Sequence, residues 1–159
     1  MKVFWKILGG LLVCLVVALV VLRITGLEPR DRTPGLWLKG DLVTTPVSDW
    51  SFTDNVPTVK IQTRFWYLLP HSVTINCIAY DRRLYVASVY PAGTPRVWND
   101  NVMRDPHVRI KIGNQLYDRT LSFVTDPVEK EAVLQARAKK YPRLKIQPNS
   151  TIHVFRVIG

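Results

Sequence analysis

Between Pro70 and Ile112 the chain reads PHSVTINCIAYDRRLYVASVYPAGTPRVWNDNVMRDPHVRIKI, and no other stretch restricts the fold as much. From Ser72 to Tyr80, β-branched and apolar residues interleave with small polar ones, the composition of a strand. Asp81-Arg82 fits a two-residue turn, and Arg83 to Ser88 sets Leu84, Val86 and Ser88 on one face of a second strand. Pro91, Gly93 and Pro95 break that strand. Thr94-Pro95 reads as a helix N-cap with proline at the first helical position, and the helix carries Val97, Trp98, Asn101 and Val102 towards a core. Asp105-Pro106 ends it, and Val108, Ile110 and Ile112 alternate into a third strand.

The flanks extend this pattern. Val59, Ile61 and Thr63 alternate before it, and Asp49 to Asp54 is either a short first strand or an entry loop whose aromatics plug a barrel end. Phe65-Trp66-Tyr67 follows Arg64 in a connection, where it walls a planar ring or seals a dimer or membrane contact. Gly113-Asn114 is a hairpin signal, and Gln115 to Val124 pairs back. Asp126-Pro127-Val128-Glu129 opens a helix with Glu129 as reciprocal capping partner, and Leu134, Ala138 and Tyr141 share its covering face. Thr151 to Ile158 closes the domain as a strand with Ile152, Val154 and Phe155 or Val157 inward. The expectation is a mainly β (α+β) domain, a small barrel of five or six strands with flanking helices.

The order of strand, dipeptide turn, strand, Gly/Pro loop with Arg, and then W-x-x-N-V-x-x-D-P-x-V-R-I resembles the flavin-binding split β-barrel superfamily. That superfamily includes pyridoxamine 5'-phosphate oxidases and deazaflavin-dependent nitroreductases. The likeness runs from VPTVKIQTR to Tyr141, and Arg96 to Ile112 matches best. It implies a split barrel, a homodimer with the cofactor between subunits, and a bound FMN or deazaflavin, with haem as an alternative. Position by position, His71, Ser72, Val73 and Thr74 would line the flavin ring. Ser88, Thr94 in the loop Gly93-Thr94-Pro95, and Arg96 would hold its phosphate. Each has a plainer reading: Arg96 as a solvated helix-start residue, Ser88 as a strand end, His71 as a loop histidine. In the haem alternative, His71 or His107 is the axial ligand. The Arg-x-x-x-x-Lys phosphate pattern of the pyridoxamine phosphate oxidases is absent from SVTINC at Ser72 to Cys77, and their C-terminal extension has no counterpart. Oxidation of pyridoxamine phosphate is therefore not expected.

Ahead of the barrel, Ile7 to Leu22 carries no charge, between Lys2 and Lys6 on one side and Arg23 on the other. The run extends through Val3 to Trp5 and Ile24 to the length of a membrane span. A signal peptide is the rival, but no small-residue cleavage site follows Leu22. Residues 1–25 thus read as a single-pass anchor, 26–48 as a Pro/Gly-rich juxtamembrane linker, and 49–159 as the barrel. A tally of basic residues after the span favours a cytoplasmic barrel; the basic residues before it favour the opposite. Leu36-Trp37-Leu38 either meets the bilayer interface or docks on the domain.

Composition narrows the chemistry. Of the 22 basic residues, 19 remain against 12 acidic ones after Lys2, Lys6 and Arg23 are set aside, a surface suited to an anionic cofactor or lipid. These charges are scattered and no nucleic-acid module surrounds them. Cys14 and Cys77 lie in segments that do not meet, and the 3 histidines are dispersed, so neither a disulfide nor a metal site is expected. H-E-x-x-H, G-x-S-x-G, Walker and G-x-G-x-x-G motifs are all absent, as suits a protein whose cofactor carries the reaction. The function expected is membrane-anchored reduction of a small acceptor, quinone-like or nitroaromatic. The alternatives are a split barrel that binds flavin or haem without turnover, or a cofactor-free dimerising barrel.

Overall fold

The computed structural model describes residues 2–64 and 69–159, so the aromatic triplet Phe65-Trp66-Tyr67 lies outside the described residues. Helix α1 (Lys2–Thr25) has 24 residues and no buried position. At 1.5 Å per residue it is ~36 Å long, against a hydrocarbon core of ~30 Å. It is the one described helix long and apolar enough to cross a membrane.

The other described residues form an eight-stranded sheet with two further α-helices and a short 3-10 helix (Ser51–Asn55) in place of a first strand or loop. Strands β2 (Val59–Arg64), β3 (Pro70–Ile75), β4 (Cys77–Tyr80), β5 (Arg83–Pro91), β6 (His107–Ile112), β7 (Gln115–Phe123) and β8 (Ser150–Ile158) follow the order β3-β2-β6-β7-β8-β5-β4. All these neighbours are antiparallel; the short β1 (Asp41–Leu42) adds a parallel pairing to β7. Strands β3 and β4 are the two ends of this order, yet only Asn76 separates them in sequence. The run that reads as one strand from Ser72 to Tyr80 therefore leaves one end of the sheet and joins the other at a single residue. The sheet curls round to meet itself there without closing its hydrogen bonds: a split barrel.

Alternation fills the barrel. Ile61, Val86, Ile110, Tyr117, Leu121 and Phe155 point inward, with Trp50 beside Tyr117 at a ring distance of 5.2 Å. Buried apolar area of this kind contributes roughly 25 cal/mol per Å². Strand β8 is covered on both faces: Phe155 and Val157 face the barrel core, while Val154 packs with Ile78, Tyr85 and Val133 under helix α3 (Pro127–Lys140). The turns match their sequence signals. Asp81 and Arg82 take φ of 48° and 58°, the paired left-handed values of a type I′ hairpin, and Gly113 has φ 61°.

Four local expectations are corrected. Helix α2 (Val97–Arg104) is capped by Arg96 rather than Thr94, with no side-chain cap, and Val97 is 44% exposed while Trp98, Asn101 and Val102 are buried. A backbone bond from Thr94 N–H to Pro91 C=O closes a turn that holds Thr94 outside the helix. At α3, Asp126 accepts from the backbone of Val128 and Glu129 as expected, but Glu129 does not reciprocate. Its carboxylate instead takes bonds from Tyr85 Oη (2.7 Å) and Arg156 (3.1 Å), which tie α3 to the sheet; Ala138 is exposed, and Arg137 is buried in its place.

The segment after α1 is docked on the barrel. Leu27 N–H donates to the Trp37 carbonyl and Leu36 N–H to the Leu27 carbonyl, Gly35 and Ser72 donate to each other's carbonyls, and Leu38 is buried with its N–H on Gln62. A Cβ on Gly35 would lie 2.3 Å from the Leu27 carbonyl oxygen, so only glycine allows this approach. Glu28 binds Lys60 of β2 and Lys111 of β6. Leu36-Trp37-Leu38 thus packs against the domain.

Candidate functional site

The split leaves two strand edges facing one another. Strand β4 pairs with β5 only as far as Cys77 opposite Val86. Beyond that point Ala87, Ser88 and Val89 of β5 look across a gap to Val73, Thr74 and Ile75 of β3, with Asn76 at its closed end. The gap is a cleft of about 600 Å³ whose lining also includes Arg96, Trp98 and the segment Asp31–Pro34.

On the β3 side the backbone is the chemistry. Ser72 uses both its N–H and C=O on Gly35, away from β2. Peptide groups alternate in direction along an antiparallel strand, so those of Thr74 point to the same free edge. Pro34 and Gly35 cover Ser72 but stop short of Thr74, which lines the cleft.

Helix α2 presents its N-terminus to the same cleft. Two buried asparagines hold it there. Asn101 donates to Thr63 Oγ1 at 3.0 Å, and Thr63 in turn donates to the His71 carbonyl at 3.1 Å, linking α2 through β2 to β3. Asn99 meets His153 Nδ1 of β8 at 2.9 Å, and Trp98 packs on Phe155 with ring centroids 5.9 Å apart. No side chain caps α2, so an anion is favoured at this helix end, which borders the cleft through Arg96 and Trp98. Arg96 lies at that point with its guanidinium 5.8 Å from the Tyr90 ring. Arg32 adds a second cation, and Asp31 is the one acidic side chain on the lining among the described residues.

Of the seven residues singled out from the sequence, the cleft gathers Val73, Thr74, Ser88 and Arg96. It leaves out three. Ser72 is fully buried beneath Gly35, and its Oγ has no partner among the described residues. Thr94 is exposed in the preceding turn. His71 is half-buried outside the lining, and burial lowers its pKa. None of the histidines lines the cleft, and His107 bonds Asp105 at 2.8 Å on another face. No described group of His, Cys, Asp and Glu side chains is placed to hold a metal ion. The sequence reading missed Arg32 and Thr33, which it assigned to a linker, and Asn99. Arg30 and Thr33 exchange backbone bonds in a local turn that contains Arg32, but the segment reaches the barrel only through the distant pairing of Gly35 with Ser72, which no local pattern marks.

No protein-family model matches the chain, and no curated protein matches its sequence. Solved structures do resemble it. A candidate pyridoxamine 5'-phosphate oxidase of Listeria innocua aligns at 17% identity and TM-score 0.51, over 68% of this chain and 87% of its own. A candidate 5-nitroimidazole antibiotic resistance protein of Bacteroides thetaiotaomicron aligns at 14% identity and TM-score 0.51, over 83% and 92%. A conserved hypothetical protein of Mycobacterium tuberculosis reaches TM-score 0.54 at 14% identity, over 77% and 85%. At these identities the likeness is one of fold, and the fold is that of the split-barrel proteins.

Proposed function

We propose that this chain is an oxidoreductase that holds a flavin, FMN or a deazaflavin, in the cleft between β3 and β5, and that α1 anchors it in a membrane. The observation that carries this reading is the convergence on one cleft of the uncapped N-terminus of α2, Arg96 and Arg32, facing a free strand edge. A planar ring needs edge donors and acceptors and an apolar wall; Thr74 supplies the first and Val73 with Trp98 the second. A phosphate needs convergent N–H groups and a guanidinium, which α2 and Arg96 supply. The residues present fit such a cofactor.

When bound, the flavin would supply hydride transfer. The chain's own residues bind and orient it. Arg96 and the α2 N-terminus hold the phosphate, the Thr74 peptide fixes the ring edge, and Asp31–Pro34 roofs the cleft against water. The acceptor would be small, quinone-like or nitroaromatic, reaching an enzyme held at the bilayer. By resemblance the active form is a homodimer with the cofactor between subunits. Residues 49–159 form its body, with 26–48 docked on them.

An absorption spectrum of the full chain in detergent, after FMN, deazaflavin or haemin in turn, tests the reading. A flavin-type band that stays with the protein through gel filtration supports it. A retained Soret band with no flavin band would move the assignment to a haem-binding module, and no retained chromophore would leave a cofactor-free barrel.

A further inference from the structure

A second concavity, of about 790 Å³, lies on the other side of β2 and shares no lining residue with the cofactor cleft. It runs over the outer faces of β2, β6 and β7, and Arg23 on the last turn of α1 forms part of its rim. Lys39, Arg64, Arg109 and Arg119 also line it. Asp118 is the one acidic side chain on the lining among the described residues, and Arg109 already occupies it through two bonds of 2.7 and 2.8 Å. Arg64 leans 3.7 Å from Asp105, whereas the side chains of Arg23 and Lys39 have no partner among the described residues.

From this placement we infer that the groove binds the headgroup phosphate of an anionic phospholipid. The choice of a lipid over a free anion follows from Arg23. It closes an apolar helix with no buried residue, so in a bilayer it stands at the level of the headgroups. The groove opens beside it, with half-buried Trp37 on its wall as an interfacial ring. Anionic leaflets attract clustered Lys and Arg at this depth. The docked segment from Gly26 to Gly40 fixes the distance between helix end and barrel, so the groove is built rather than assembled from mobile charges. The bound lipid would orient the barrel on the membrane and set which way the cofactor cleft faces.

This inference rests on α1 lying in the membrane, a part of the proposed function, and is independent of the flavin. The full chain in neutral detergent is heated with phosphatidylglycerol, phosphatidylcholine or inorganic phosphate, and its melting temperature is read. Phosphatidylglycerol should raise it by several degrees, while the other two leave it unchanged. The double variant Arg23→Gln, Lys39→Gln should melt like the wild type without lipid, retain FMN binding and lose the phosphatidylglycerol shift. Equal shifts with phosphatidylcholine, or a double variant that still responds, would overturn the site. An inorganic phosphate shift matching that of phosphatidylglycerol would overturn the lipid assignment. Flotation with neutral vesicles reads the anchor separately: a chain that fails to float overturns the headgroup site together with the anchor, whereas one that floats but shows no preferential phosphatidylglycerol shift on melting overturns the groove alone.

Discussion

Glu28 fastens the segment after α1 to the barrel. Burial alone would raise its pKa, but hydrogen bonds from Lys111 and Lys60 and from the Lys39 N–H outweigh it and hold the carboxyl at about 2, against an ordinary 4.5. The folded state therefore binds this proton less readily than the unfolded chain. Its contribution is fully present above about pH 4.5 and is lost as pH falls towards about 2. Glu28→Gln keeps the shape and removes the charge. After allowance for the partial exposure of the carboxylate and its lysines, the loss should be about 1–2 kcal/mol at neutral pH, measured by urea unfolding. The variant should also show a flatter stability curve between pH 5 and pH 2 than the wild type. Sequence could not foresee this clasp. Lys60 and Lys111 stand 32 and 83 residues from Glu28, and a Pro/Gly-rich stretch with charges looks the same whether free or docked.

Among the elements, α3 is held at both ends by polar contacts. Asp126→Ala removes the cap of two N–H groups and should cost about 1 kcal/mol. At the other end Lys140 Nζ donates to the carbonyls of Thr53 (2.7 Å) and Cys77 (2.9 Å), and Tyr141 Oη lies 2.8 Å from those of Pro57 and Cys77, which share its one proton. These bonds grip the chain where it leaves the Asn76 bend, so they stabilise the split itself. Lys140→Met keeps the packed stem but removes a charged donor from two carbonyls, leaving Thr53 C=O with Val56 N–H and Cys77 C=O with Tyr141 Oη. It should cost about 1–3 kcal/mol in urea unfolding and loosen amide protection in β4 first. The Asp126-Pro127 start was legible because a cap is local chemistry. The bend at Asn76 was not: both halves of Ser72–Tyr80 have strand composition, and only the pairing of β3 with β2 and of β4 with β5 divides them. The start of α2 slipped by two residues for a similar reason, since the Pro91–Thr94 turn competes for Thr94.

For the whole molecule, the barrel followed from alternation. The turns followed from Asp81-Arg82 and Gly113-Asn114, and the core helix from its Trp and Asn residues. The site was half legible. Ser88 in β5 and Arg96 at the start of α2 are joined by a single turn and share the cleft; Arg32 enters only through docking of a segment that composition assigns to a linker. If the resemblance extends to assembly, sedimentation of the detergent-solubilised chain should give two copies per particle, with loss of the dimer accompanied by loss of bound flavin. On the proposed reading, the cleft recognises a flavin through its phosphate at Arg96 and the α2 N-terminus. The direct test is a fluorescence titration of the full chain with FMN and with riboflavin, repeated on Arg96→Glu. A charge-assisted contact of about 1.5–3 kcal/mol predicts a preference for FMN of between about tenfold and about a hundredfold. Arg96→Glu should abolish that preference and leave the melting temperature unchanged. Equal affinity for the two flavins in the wild type, or an undiminished preference in the variant, would contradict the account.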